Sequence, residues 1–330
     1  MSAVDISAVA PHAVLPEHLL AAQGVSFSYR HGKPVLHDVS LGVGAGHSLG
    51  LVGESGAGKT SLLRLLLGLT APTEGTVRFD GQPLRHGDRG AMREFRRAVQ
   101  PVYQDPFSSL DPRMRVGDSI AEPLRSLGVT RDAGARKARV AELLRAVDLP
   151  DDAATRYPDA FSGGQRQRIA IARALAPSPR VLLADEPVSA LDTSVRVHVG
   201  ERLLRLAREQ SIAILLVSHD LTIVSALCEQ IAVLEGGRIV ERGETGRVLR
   251  QPEHPYTRQL LEAVPRMPGA SRRPLRVVAW PAKPAYRDLL NQSAHCGWSS
   301  SRRSRRIETP NPSPQPPRPS TPPPDVARDR

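Results

Sequence analysis

Apolar and small polar residues alternate over Gly24–Tyr29, the two-residue period of a half-buried strand. A second apolar segment, Val35–Val43, leads into Ser48–Val52, a short run closed by glycine, and a helical pattern takes over from Lys59 to Leu67. The expected order is strand, glycine-rich turn, helix. From Pro106 to about Leu149 the pattern is mainly helical, with Val140, Leu143, Leu144 and Val147 at helical spacing, and it reads as an insertion. Val181–Ala184 and Ile212–Val217 are compact apolar runs separated by the amphipathic stretch Val195–Arg208, the signature of parallel strands joined by a crossover helix. Ile231–Leu234 and Arg238–Val240, linked through Glu235, Gly236 and Gly237, read as a closing hairpin.

The ends differ from this middle. Residues 1–20 read as a loose leader, residues 21–250 as the main α/β unit with its helical insertion at about 106–160, and residues 251–298 as a separate C-terminal segment. Residues 299–330 are proline, serine and arginine with almost no large apolar side chain, a composition that cannot repay ordering entropy and is expected to be disordered.

Composition narrows the picture only a little. The 330 residues are 40% hydrophobic and 24% charged, enough to bury a full core. The net charge of +11 suits nucleic acid, anionic lipid or polyphosphate, and equally a solvated basic surface, so charge alone selects none of them. Cys228 and Cys296 lie far apart and match no metal-ligand spacing, which favours a reducing compartment and no structural zinc. The N-terminus lacks the basic start and apolar stretch of a secretory signal, and no segment reaches the roughly 18–20 apolar residues of a membrane span. Work at a membrane would require other chains to supply the spans.

Chemistry concentrates in three places. Gly53-Glu54-Ser55-Gly56-Ala57-Gly58-Lys59-Thr60 fits the P-loop pattern and sits where that pattern needs to sit, after an apolar strand and at the opening of a helix. Glycines let backbone amides curl around phosphate, the helix N-terminus adds partial positive charge, Lys59 would hold the outer phosphates and the Thr60 hydroxyl would bind magnesium. Val181–Ala184 ends in Asp185 and Glu186, two carboxylates that are costly at the end of a buried strand unless they meet a cation or hydrogen-bond donors. Taken alone the pair is a helix cap and a first-turn acid; beside a P-loop, Asp185 reads as a metal ligand through water and Glu186 as the general base. Phe161-Ser162-Gly163-Gly164-Gln165-Arg166-Gln167-Arg168 repeats the device of small residues opening a helix toward an anion. One chain needs only one cradle per nucleotide, so this second surface makes sense if it caps ATP held by a partner.

At this point the chain resembles the ABC ATPases. Ser162, Gly163, Gly164 and Gln165 look like their signature motif, with Phe161 in place of the usual leucine; Gln104 in Val102-Tyr103-Gln104-Asp105-Pro106 resembles the Q-loop, Ser189-Ala190-Leu191-Asp192 the D-loop, and His219 the switch histidine. The resemblance covers roughly residues 20–265 and implies a P-loop NTPase fold: a mixed-sheet α/β core, an N-terminal antiparallel β part and a helical insertion subdomain. It implies ATP and Mg2+ as ligands, with Tyr29 stacking on adenine, residues 53–60 and Ser61 on the nucleotide, Asp192 and Ser162–Gln165 across a shared seam, and Thr60, Gln104 and Asp185 at the metal. Glu186, His219, Gln104 and Lys59 are the catalytic set. Without the resemblance, Tyr29 reads as ordinary packing and His219 as a structural histidine.

His254-Pro255-Tyr256-Thr257-Arg258-Gln259-Leu260-Leu261-Glu262-Ala263-Val264-Pro265 resembles the C-terminal segment of ATPases serving oligopeptide, dipeptide and nickel importers, and Gln104–Arg113 resembles their second ATPase subunit. That branch implies a second ATPase subunit, identical or distinct, two transmembrane permease subunits, an external solute-binding protein, no nucleic acid, and a peripheral place on the cytoplasmic face of the membrane. The branch usually carries a cysteine-containing region after this segment; here Cys296 stands alone before Arg302-Arg303-Ser304-Arg305-Arg306. Pro101 removes a ladder donor, so its strand is expected at a sheet edge or beside an irregularity. The alternative function is a soluble ABC ATPase acting on nucleic acid or the ribosome, which usually brings a coiled coil or a duplicated cassette; neither heptads nor an internal repeat is visible.

Overall fold

A computed structural model describes residues 18–29, 32–105, 109–189 and 193–263. Two sheets organise them. The first is antiparallel, in the order β2–β1–β4–β5, built from β1 (His18–Ser28), β2 (Pro34–Gly44), β4 (Glu74–Phe79) and β5 (Gln82–Pro83). The second has six strands in the order β10–β9–β3–β8–β7–β6: β3 (Ser48–Val52), β6 (Val99–Val102), β7 (Val181–Asp185), β8 (Ala213–Val217), β9 (Gln230–Glu235) and β10 (Arg238–Glu244). All pairs of the second sheet are parallel except β9 with β10, so the sheet is mixed.

The apolar runs of β3, β7 and β8 carry no polar alternation because both faces of the sheet are covered. Leu182, Ala184, Ile214 and Leu216 face one core, shared with the helices α3 (Val116–Ser126), α4 (Ala133–Ala146) and α5 (Gly163–Leu175). Val181, Leu183, Leu215 and Val217 face the other, shared with α1 (Lys59–Leu66) and the antiparallel sheet. Each apolar side chain of this kind contributes about 1.5–3 kcal/mol by burial, so β3, β7 and β8 anchor whatever loops leave their ends.

The helical pattern expected after Pro106 resolves into α3 and α4, and the crossover between β7 and β8 is α6 (Thr193–Glu209). Pro101 lies in β6, which among the described residues is the edge strand of its sheet, the place where a proline is tolerated. β1 begins at His18, so residues 18–20, assigned to the leader by composition, belong to a strand. The hairpin extends four residues past Val240. α2 (Arg89–Ala98), α7 (Leu221–Leu227) and α8 (Thr245–Arg250) complete the main unit, and α9 (Pro255–Glu262) returns the chain to the core through Tyr256. Ala190, Leu191, Asp192, Cys296 and the 299–330 tail lie outside the described residues.

Candidate functional site

Parallel strands point their C-terminal ends the same way, and the register brings four of those ends level. Leu51 is opposite Val217, Val217 opposite Asp185, and Ala184 opposite Val102. The next residues along each strand therefore sit side by side on one edge: Gly53 after β3, His219 two residues beyond β8, Glu186 after β7 and Gln104 two beyond β6. This is the edge at which α/β sheets bind ligands.

The turn from β3 to α1 is held by its own backbone and by Lys59. Gly58 caps α1 with φ +106°, a conformation that a β-carbon opposes. Lys59 is buried, and its Nζ donates to the carbonyls of Gly53 at 2.6 Å and Glu54 at 2.8 Å. Burial pushes the Lys59 ammonium below its usual range, opposed by the negative charge of Glu186, Asp185 and Glu54. Among the described residues this buried cation hydrogen-bonds two carbonyls and no anion, which suits it to a phosphate. Ser55, Gly56 and Thr60 are exposed and Ala57 is buried; at Gly56 a β-carbon would meet nothing within 4 Å. Ser61 is buried and its hydroxyl lies 3.1 Å from that of Tyr29, whose half-exposed ring packs edge-on against Phe27.

Asp185 and Glu186 leave β7 in different environments. Burial, reinforced by Glu186 and opposed by Lys59, pushes the Asp185 carboxyl above its usual range. Glu186 adopts φ +44°, left-handed backbone that costs a non-glycine residue about 1–2 kcal/mol. Its N–H still bonds the carbonyl of Val217 at 2.9 Å, and its Oε1 meets Nδ1 of His219 at 2.7 Å. The carboxylate is largely covered, whereas the imidazole is 61% exposed and free to face a ligand. Strain kept at one carboxylate and resolved by a histidine contact is the pattern of a functional position.

A hard cation accompanied by phosphate fits the donors present. The Thr60 hydroxyl and the Asp185 carboxylate offer oxygen donors, Gln104 is exposed at the same edge, and Asp185, raised by burial and by Glu186, is a carboxylate that a cation would favour. Among the described residues no group of three His, Cys, Asp or Glu side chains forms a complete cage. Magnesium matches this, since it usually takes few protein ligands and completes its shell with phosphate and water.

The Ser162–Gln165 segment is not part of this cluster. Ser162 caps α5 in a capping box: its hydroxyl accepts from Gln165 N–H at 3.4 Å and Gln165 Oε1 accepts from Ser162 N–H at 3.0 Å. Gly163 and Gly164 form the first turn. Among the described residues no hydrogen bond or ion pair joins this segment to residues 53–60.

Three supporting residues were not singled out by motif. Arg196 on α6 donates to the Ser189 carbonyl at 3.1 Å and pairs with Asp220 at 3.6 Å, tying the segment after Glu186 to the neighbour of His219. Gln167, fully buried on α5, donates to the carbonyl of Tyr103, just ahead of Gln104, at 3.5 Å. The Tyr256 hydroxyl accepts from the Glu54 N–H at 2.9 Å. For Gln167 a sequence signal existed, a polar residue on an otherwise apolar helix face; for Arg196 and Tyr256 only the fold supplies the contact.

A central parallel sheet that brings a P-loop, an acidic strand end and a histidine to one edge, beside an antiparallel sheet and a helical subdomain, defines an ABC-type nucleotide-binding cassette. The chain belongs to the ABC transporter family: that family's model matches residues 36–189, and the model described as "Oligopeptide/dipeptide transporter, C-terminal region" matches residues 240–306. It is 48% identical over 242 residues to the glutathione import ATP-binding protein GsiA of Escherichia coli (strain K12), covering 73% of this chain and 38% of that one. To GsiA of Salmonella paratyphi A it is 47% identical over 243 residues, covering 74% and 39%. The chain thus spans about two fifths of the length of these curated relatives. Among solved structures, cbiO1 from Clostridium perfringens, part of the ABC transporter complex cbiONQ, superposes with a TM-score of 0.65 at 24% identity, covering 71% of this chain and 92% of that one. The dimeric post-hydrolysis state of the ATP-binding cassette MJ0796 bound to ADP and Pi gives 0.61 at 29% identity, covering 68% and 98%.

Proposed function

We propose that the chain binds and hydrolyses ATP as the nucleotide-binding subunit of an importer for short peptides or a peptide-like solute such as glutathione. The observation that carries this reading is the levelling of Gly53, Glu186 and His219 on one sheet edge, with Lys59 within reach of the charge of Asp185 and Glu186 and with Glu186 held by His219 at 2.7 Å. The matched C-terminal region and the glutathione importers among the relatives support the cargo class.

In this mechanism the triphosphate lies along residues 53–61, and Lys59 Nζ exchanges carbonyls for phosphate oxygens. Tyr29 offers its ring to the adenine. Thr60, Asp185 and Gln104 would hold a magnesium ion, which would supply neutralising charge to the phosphates. Glu186 accepts the proton of the attacking water, and His219, bound to it through Nδ1, turns its exposed side toward the γ-phosphate. Ser162, Gly163, Gly164 and Gln165, unattached to the chain's own P-loop, cap the nucleotide of a second ATPase subunit, whose equivalent segment caps this one, with Asp192 at the seam between them. Two permease subunits and an external solute-binding protein complete the assembly. Among the described residues no helix is long and apolar enough to cross a membrane, in keeping with a peripheral place on the cytoplasmic face.

The test is steady-state ATP hydrolysis by the chain assembled with its partners. Glu186→Gln keeps the shape but cannot take a proton, and is expected to lower kcat by about 10²–10⁴-fold while ATP still binds. A variant that turns over as fast as wild type removes Glu186 from the mechanism.

A further inference from the structure

The P-loop is framed from the C-terminal side of the domain by three contacts. Ala57 accepts from the Gly237 N–H at 3.0 Å; Gly53 runs so close to β9 that a β-carbon there would stand 2.2 Å from the Leu234 carbonyl oxygen; and the Glu54 N–H donates to the Tyr256 hydroxyl at 2.9 Å. The third contact alone comes from a side chain, and from a residue beyond the hairpin.

Tyr256 is placed with some care. The residue is 7% exposed and belongs to the core shared by the helices, with Leu260 and Leu261 packed against the same core. Its helix starts at a fixed point: the Glu241 carboxylate accepts the N–H groups of Glu253 at 2.9 Å and His254 at 3.0 Å, and His254 Nδ1 accepts the N–H of Tyr256 at 3.3 Å. Burial and a pinned helix start leave the hydroxyl one place to go, the mouth of the loop.

Residue 54 is consequently held on both sides, its N–H by Tyr256 and its carbonyl by Lys59 at 2.8 Å. When Lys59 turns to phosphate, the second hold is released or shared, and the tyrosine keeps the first. We propose that Tyr256 is a positioning residue for the nucleotide: it orients the Glu54 peptide at the entry of the P-loop, so that the C-terminal segment sets ATP affinity without touching ATP. The proposal rests on residues 53–60 being the ATP loop.

Tyr256→Phe keeps the ring and its packing and deletes the hydroxyl. The full-length chain is titrated with ATP and magnesium by calorimetry, with Lys59→Ala as the control that defines binding at this loop, and KM and kcat are measured in the assembled complex. The expected result is an ATP Kd and a KM raised about fivefold with kcat at saturating ATP retained, the effect of one lost hydrogen bond. A Kd within twofold of wild type, or a fall in kcat with KM unmoved, overturns the proposal. Absence of ATP binding by the wild-type chain would instead remove the ATP reading itself.

Discussion

Gly58→Ala is the sharpest probe of how the loop is built. Gly58 has φ +106°, and a β-carbon there would stand 2.8 Å from Leu36 Cδ2 and 3.1 Å from the Val35 carbonyl oxygen. Leu36 is fully buried, so it cannot swing aside. Backbone strain costs about 1–3 kcal/mol and the forced contact about 1–3 kcal/mol more, for a total of roughly 2–6 kcal/mol. Gly81 is the control: its φ is +74°, but a β-carbon there meets nothing within 4 Å. Gly81→Ala should therefore show strain alone, about 1–2 kcal/mol. In a chain of this size each kcal/mol lowers Tm by about 2–4 °C, so thermal melts of the full-length protein should separate the two variants by several degrees. Melts repeated with ATP and magnesium add a second readout. Ligand raises the Tm of Gly81→Ala as it does wild type, whereas Gly58→Ala, its amide displaced from the cradle, gains less. Equal destabilisation in the two variants, or full ATP protection of Gly58→Ala, refutes the reasoning.

Glu241 is held below the usual carboxylate range: burial raises it, but the Glu253 N–H, the Thr257 hydroxyl, the His254 N–H and the charge of His254 together outweigh burial. A depressed carboxyl contributes stability above its unfolded value of 4.5 and loses it as pH falls through the folded value, so α9 should lose hydrogen-exchange protection as pH falls below 4.5, and Glu241→Gln should show that loss already at neutral pH. Unchanged protection in Glu241→Gln counts against the pinning. Cys228 is buried and its thiol is pushed far up by burial, so in a Cys296→Ser background the native chain should not react with a thiol-specific disulfide reagent until it unfolds. Rapid reaction of the native protein would show that α7 opens readily.

What the sequence revealed follows from which forces are local. β3, β7 and β8 are buried on both faces, so their apolar runs stand out, and the P-loop glycines mark their turn by the backbone they require. β4 went unrecognised because Val77 is its one fully buried residue, and α2 because only Met92 and Phe95 are buried among its arginines. At the site, Lys59, Asp185, Glu186 and His219 were all chosen from sequence; that the P-loop, the acidic strand end and His219 share one edge required the strand register. Tyr256 lies 202 residues from its hydrogen-bond partner Glu54, and no periodicity reaches that far. Its segment was marked by a resemblance, its contact was not.

The two halves of the site should fail in different ways. Residues 53–58 work through backbone, with N–H groups and carbonyls fixed by Lys59, Tyr256 and the β9–β10 turn, so side chains at exposed Glu54 and Ser55 can change while Gly53 and Gly58 cannot. Glu186 and His219 work through side chains, and the left-handed backbone at Glu186 is a cost borne to aim one of them. Glu186→Gly would relieve that strain and so should raise stability or leave it nearly level even as it removes the base. A clear loss of stability in that variant would mean that the carboxylate's bond to His219 outweighs the strain, and that the pair helps hold the edge together before any nucleotide arrives.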